Sequence, residues 1–230
     1  MAYKKNGTSS KMLIAISLIV ILAIASAALV FVVTQSAPKS IAPGVHVGDT
    51  FTYTLTGDSI LFDTEAVTPP SLYQYNETSY YEVIITAVSG PLITFNTIWQ
   101  FTNGTSVQNT NWINLETGNN SGNFWAIYPP NLNVNDQLYP QEENTALIVN
   151  STGSQSFSSG NRTTNYWSIE TAFTDPSDPT GSTTMNNVIE VYFDKQTGML
   201  DYLDNVQYYN NPELNVVITW HLSASSVWGV

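Results

Sequence analysis

Residues 214–223 read LNVVITWHLS, and the alternation in this stretch decides the fold class. Leu214, Val216, Ile218, Trp220 and Leu222 fall on one side of an extended chain, with Asn215, Thr219 and His221 on the other. This period of two describes a strand with one buried and one wet face. Residues 92–101, LITFNTIWQF, repeat it, with Ile93, Phe95, Trp99 and Phe101 opposed to Thr94, Asn96 and Gln100. Working outward, short runs rich in β-branched and aromatic residues predict further strands at 50–56, 79–88, 106–114, 124–127, 146–150, 164–173, 187–194 and 199–208. Gly, Pro, Asn and Asp punctuate the gaps, and nothing after residue 33 has the period of a long helix.

Two hairpins are marked by their turns. Ser89-Gly90-Pro91 joins the 79–88 and 92–101 runs, and Asp194-Lys195-Gln196-Thr197-Gly198 joins the 187–194 and 199–208 runs with Gly at a bulge position. Val47-Gly48-Asp49 and Val134-Asn135-Asp136 are similar in pattern, either a trace of duplication or one turn signal used twice. About 185 residues suffice for one core without disulfides, and the chain has no Cys. The expected fold class is therefore all-β, an antiparallel sandwich or curved half-barrel over residues 44–230.

Ahead of this domain, residues 12–33 read MLIAISLIVILAIASAALVFVV, uncharged and broken only by Ser17 and Ser26. At 1.5 Å per residue the run spans about 33 Å, enough for a hydrocarbon core of roughly 30 Å. Lys4, Lys5 and Lys11 precede it and Lys39 follows. This bias leaves residues 1–11 in the cytoplasm and exports residues 34–230, with 34–43 (TQSAPKSIAP) as a linker. A cleavable signal with Ala25-Ser26-Ala27 as its cut site is the rival, but the apolar run is longer than an ordinary signal core. A prepilin-like leader cut near Lys4-Lys5-Asn6-Gly7 is a third reading and would make the chain a filament subunit.

Charge narrows the function. The chain carries 6 Lys+Arg against 18 Asp+Glu, and residues 40–230 hold all 18 acids against Arg162 and Lys195, a net charge of −16. Such a surface cannot neutralise phosphates, so no nucleic-acid partner is expected. Only 10% of residues are charged, and the polar surface is largely Asn, Thr, Ser, Gln and Tyr. Such a surface stays soluble when carboxylates protonate, which points to an acidic or otherwise harsh exterior.

The sequence around Gly44-Val45-His46-Val47-Gly48-Asp49-Thr50-Phe51-Thr52-Tyr53, the stretch Tyr128-Pro129-Pro130-Asn131-Leu132-Asn133-Val134-Asn135-Asp136, and Tyr192-Phe193-Asp194-Lys195-Gln196-Thr197-Gly198-Met199-Leu200 resembles a group of uncharacterised archaeal single-pass membrane-anchored surface proteins. That resemblance implies a glycosylated β-rich exterior and covers most of the exported part. The Asp-Lys-Gln-Thr-Gly hairpin is also similar to one in lipoprotein-carrier half-barrels, which implies a curved sheet with an apolar concavity. Neither resemblance carries catalytic residues, and fold alone assigns no function.

Five Asn-x-Ser/Thr sequons in turn-like stretches, at Asn76, Asn103, Asn119, Asn150 and Asn161, are the candidate glycosylation sites. A sixth, at Asn6, falls on the expected cytoplasmic side. His46 and His221 are the only histidines, too few for a histidine metal centre. Asp175 with Asp178, Asp201 with Asp204, and Glu142 with Glu143 read as solvated turn acids, and none forms a calcium loop. Asp63 with Glu65 and Glu170 with Glu190 are the acid pairs considered for glycosidase chemistry, without a pattern that selects either. No nucleophile elbow, phosphate loop or dinucleotide fingerprint is present. No metal, cofactor or catalysis is expected. Trp99 and Trp220 alternate with aliphatics and read as core, which leaves Tyr73, Tyr75, Tyr80, Tyr81 and Trp112 as candidate ligand-binding aromatics. The expected function is a non-catalytic membrane-anchored surface protein that binds or displays, with a glycan, lipid or surface-layer partner. The alternatives are a carrier of an apolar ligand in a half-barrel cavity and a pilin-like filament subunit.

Overall fold

A computed structural model describes residues 41–122, 124–142, 147–174 and 183–230. The expected membrane segment 12–33 and linker lie outside them, apart from the linker's last residues. Among the described residues no helix is long and apolar enough to cross a membrane.

Nine strands form one antiparallel sheet: β1 (Thr50–Leu61), β2 (Thr78–Ser89), β3 (Leu92–Phe101), β4 (Ser106–Asn114), β5 (Ser151–Phe157), β6 (Gly160–Thr174), β7 (Thr184–Asp194), β8 (Leu200–Asn210) and β9 (Glu213–Ser225). Their spatial order is β4-β3-β2-β1-β9-β8-β7-β6-β5. Two meanders, β1–β4 and β5–β9, are thus stitched together by the first and last strands, with Leu55 facing Trp220 in register. Only Pro70–Leu72, a 3-10 turn, and α1 (Tyr73–Asn76) are helical among the described residues.

A two-sheet sandwich is not what forms, because every strand belongs to the same sheet. The sheet is instead curled. Trp228, just past β9, packs on Phe51 of β1 at 5.7 Å and on Phe157 of β5 at 6.1 Å. Those two rings are therefore within about 12 Å, although five strand spacings of about 4.8 Å would set them roughly 24 Å apart in a flat sheet. Ser159, in the β5–β6 turn, donates its amide to the Gly229 carbonyl and ties the same ends together.

The concave face is partly filled by the described residues of the long β4–β5 connection, 115–122, 124–142 and 147–150. Phe124 packs against Tyr53, Tyr81, Phe95 and Trp220, which come from β1, β2, β3 and β9. Tyr128 lies 4.4 Å from Phe193 of β7 and 6.3 Å from Trp167 of β6. One irregular loop thus reaches six strands. The expected strands at 124–127 and 146–150 are corrected here: the described residues of both make only isolated bridges, Ile127 with Met199 and Ile148 with Gln137. Their apolar character comes from burial as a plug. β5 itself, STGSQSF, has no apolar alternation, and its place at the sheet edge explains why it needs none.

A second plug covers the other end of the concave face. The β1–β2 connection buries Ala66 and Leu72 against Leu214 and Val216 of β9. Between these two plugs the described residues leave the concave face open.

Candidate functional site

Two adjoining cavities occupy that gap, of about 360 and 320 Å³. Each is within the range of small-molecule sites. The larger lies over Ile189, Leu203, Asn205, Ile218 and Trp220 of the sheet and is walled by Phe124, Trp125 and Ala126 of the plug. The smaller is bounded by Gln74, Tyr81, Thr97, Trp99, Phe101, Val107 and Asn109. Tyr75 and Trp220 line both.

The position of each ring follows from the strand period. Tyr81, Trp99 and Trp220 point to the concave side of β2, β3 and β9, where they meet edge-on: Tyr81 is 4.8 Å from Trp220 and 5.9 Å from Trp99. Such tilted contacts bring the positive ring edge to a negative ring face and hold the cluster rigid. Trp99 donates its Nε1 hydrogen to Thr78 Oγ1 at 2.7 Å, which sets its plane. Tyr75 reaches the cluster from α1, 5.7 Å from Trp99. Its helix is clasped to β1 by a two-point contact: Gly57 N donates to Asn76 Oδ1 at 2.9 Å and Asn76 Nδ2 donates to Gly57 O at 2.6 Å. The contact is possible because residue 57 has no side chain; a Cβ there would stand 3.1 Å from the Leu72 side chain.

Among the described residues no charged side chain and no histidine lines either cavity. Burial pushes the phenols of Tyr75 and Tyr81 above their ordinary values, so both keep their protons. One polar atom in these walls has no hydrogen-bond partner among the described residues, Asn205 Oδ1 in the larger cavity, while in the smaller the Tyr81 hydroxyl faces Thr97. A buried polar atom left unpaired is costly and marks a position that a ligand hydroxyl or amide can satisfy. The arrangement offers apolar contact, ring faces and a few neutral hydrogen-bonding groups.

Of the aromatic candidates read from sequence, the structure brings together Tyr75 and Tyr81. Tyr80 follows the opposite face of β2, Tyr73 is exposed on α1, and Trp112 is exposed on β4 between the buried Asn111 and Ile113. The residues that reasoning missed are Trp220, Trp99, Trp125 and Phe124. Alternation put Trp99 and Trp220 on the inner face, and they do pack on the core, but each is only half-buried because the plug stops short of them.

The acid pairs stand elsewhere. Glu170 and Glu190 lie on the outer face of β6 and β7, where Glu190 accepts from the Tyr166 hydroxyl and Glu170 from Asn186. Asp201 is buried while Asp204 accepts from Tyr202 and Thr219. Among the described residues no three His, Asp or Glu gather as a metal would require.

The sequons divide into two kinds. Asn103, Asn150 and Asn161 use only the amide oxygen among the described residues, accepting from Thr105, Ser168 and Ser156 respectively. Asn119 is exposed in the loop after β4. Asn76 differs, because both amide atoms serve the clasp.

No protein-family model matches the chain, and a search of curated proteins finds no relative.

Proposed function

We propose that this protein is a non-catalytic, membrane-anchored binding protein of the cell exterior whose curled sheet holds a neutral apolar ligand, a lipid or similar amphiphile, between its two plugs. The observation that carries the reading is the aromatic and aliphatic cleft around Trp220, in which no described lining residue is charged and Asn205 Oδ1 has no hydrogen-bond partner among the described residues. A cleft whose described lining has no acid, base or charged group suits holding a molecule better than transforming one. Net charge of −16 on residues 40–230 would repel anionic headgroups, which favours a neutral ligand. The apolar run at 12–33 would keep the domain at the membrane surface, where such ligands are met.

The test is titration of the full chain in neutral detergent-free nanodiscs with the neutral apolar dye phenylnaphthylamine, together with native mass spectrometry of protein drawn from its own membrane. Saturable dye uptake that is lost in Trp220→Ala and kept in Trp112→Ala is expected, along with a co-purifying lipid mass. Equal dye response in both variants and no bound mass would leave display without ligand as the better description.

A further inference from the structure

We propose that N-linked glycans on Asn103, Asn119, Asn150 and Asn161 shield the two free edges of the sheet, and that Asn76 stays bare. Among the described residues the curled sheet is not closed: β3 is the one strand beside β4 and β6 the one strand beside β5, and only the last residues of β4 are covered, by a bridge from Ile113 to Asn120. A free edge presents unpaired N–H and C=O groups to any other strand, and proteins ordinarily blunt it with charge, proline or a bulge. None of these devices is present here. β4 reads SVQNTNWIN and β5 STGSQSF, without a charged residue or a proline in either. Both pair with their single neighbours in unbroken register.

Sequons stand at both ends of each bare strand. Asn103 occupies the turn into β4, with its Oδ1 accepting from Thr105 N. Asn119 lies past the other end, where residues 119–121 pair with the edge: Asn114 N donates to Asn119 O and Ser121 N to Trp112 O. Asn150 directly precedes β5 and donates its backbone N–H to Tyr166 O. Asn161 closes the far end, opposite Ser156 of β5. A sugar needs only the amide nitrogen, and in these four the nitrogen makes no hydrogen bond among the described residues.

At Asn76 the chemistry is opposed. The amide donates to Gly57 O while accepting from Gly57 N, so the hydrogen it uses lies on the side of its own oxygen. In a trans N-glycosyl amide the sugar carbon replaces that hydrogen. The glycan and the clasp exclude each other.

Two measurements test this. Glycopeptide mass spectrometry of the full chain from its native membrane should find the four edge sites occupied and Asn76 unmodified; bare edge sites, or a modified Asn76, overturn the proposal. The same sequence made in a host without N-glycosylation, sedimented in the same detergent, should associate into β-rich oligomers, and Gln108→Lys with Ser154→Lys, one charge on each edge, should return it to the monomer. A monomeric unglycosylated chain, or association that the two lysines leave unchanged, overturns the shielding role.

Discussion

Arg162 grips Asp194 with two parallel hydrogen bonds, Nε to Oδ2 at 2.7 Å and a terminal guanidinium nitrogen to Oδ1 at 2.9 Å, while its guanidinium stacks 4.2 Å from the ring of Trp228. One side chain thus ties the β7–β8 turn to the residue that bridges β1 and β5. Asp194 is fully buried and also accepts from the backbone of Gln196 and Thr197 and from the Thr197 hydroxyl. Removing the cation strands a buried charge that three neutral donors only partly offset. Arg162→Met should cost about 3 kcal/mol, the low end for a broken buried pair. Arg162→Lys keeps the charge but loses the fork and the stack, and an intermediate loss of about 1–2 kcal/mol is expected. Urea unfolding of the β domain measures both; equal stability of wild type and Arg162→Met would refute the role.

Asp201 sets a pH dependence of unusual sign. Its carboxyl is pushed up to about 8, first by burial and then by the charge of Asp194, against the Thr164 hydrogen bond and the Arg162 charge. Folded, it keeps its proton where the unfolded chain, with an ordinary value near 3.8, has lost it. Folding stability from this group is therefore complete below about pH 4 and falls as pH rises towards 8, by up to about 1.4 kcal/mol per pH unit. The melting temperature should rise when pH is lowered from 8 to 5, and Asp201→Asn should flatten that slope. A wild-type melting temperature that falls over the same interval would contradict the assignment. Such behaviour matches the neutral polar surface expected for an acidic exterior.

Gly198 closes the β7–β8 turn with φ +77°, and a Cβ there would fall within 1.9 Å of the Tyr128 carbonyl oxygen. That carbonyl belongs to the plug, whose Tyr128 N donates to Gly198 O at 2.9 Å. Gly198→Ala must move backbone against backbone, and a loss above about 3 kcal/mol is expected, with non-native tryptophan fluorescence. Gly153→Ala, on the exposed β5 strand where nothing lies within 4 Å, serves as the control and should change stability little.

Asn76→Ala breaks both clasp hydrogen bonds and frees the strap that carries Tyr75. The global loss should be modest, about 1–2 kcal/mol. Hydrogen exchange should rise at residues 72–78 and at Gly57 while β8 and β9 stay protected. Unchanged exchange on the strap would show that Leu72, buried against Leu214 and Val216, holds it without the clasp.

Most strands of the two meanders are written locally, whereas β5, without apolar alternation, is not. Alternation in 92–101 and 214–223 and the turns at Gly90 and Gly198, both at positive φ, were sufficient for the hairpins, because a period of two and a left-handed turn are properties of neighbouring residues. The Val-Gly/Asn-Asp turns also proved alike: His46 N and Asn133 N each donate to the aspartate three residues on, at 2.7 Å in both, with positive φ at Gly48 and Asn135. Apolar runs at 124–127 and 146–150 misled, since an apolar segment says that it is buried and not whether it is paired.

By itself, then, the sequence determined an all-β antiparallel domain, the hairpin turns at Gly90 and Gly198 and the inward faces of 92–101 and 214–223, all consequences of short-range periodicity. Only the tertiary structure decided that the nine strands form one curled sheet, because curling depends on what fills the concave side. It also decided that Trp99 and Trp220 wall a cleft. An inward-facing ring becomes core or cavity wall according to how far a distant plug reaches, and the plug ending at Phe124 and the strap ending at Tyr75 come from opposite sides of the same face.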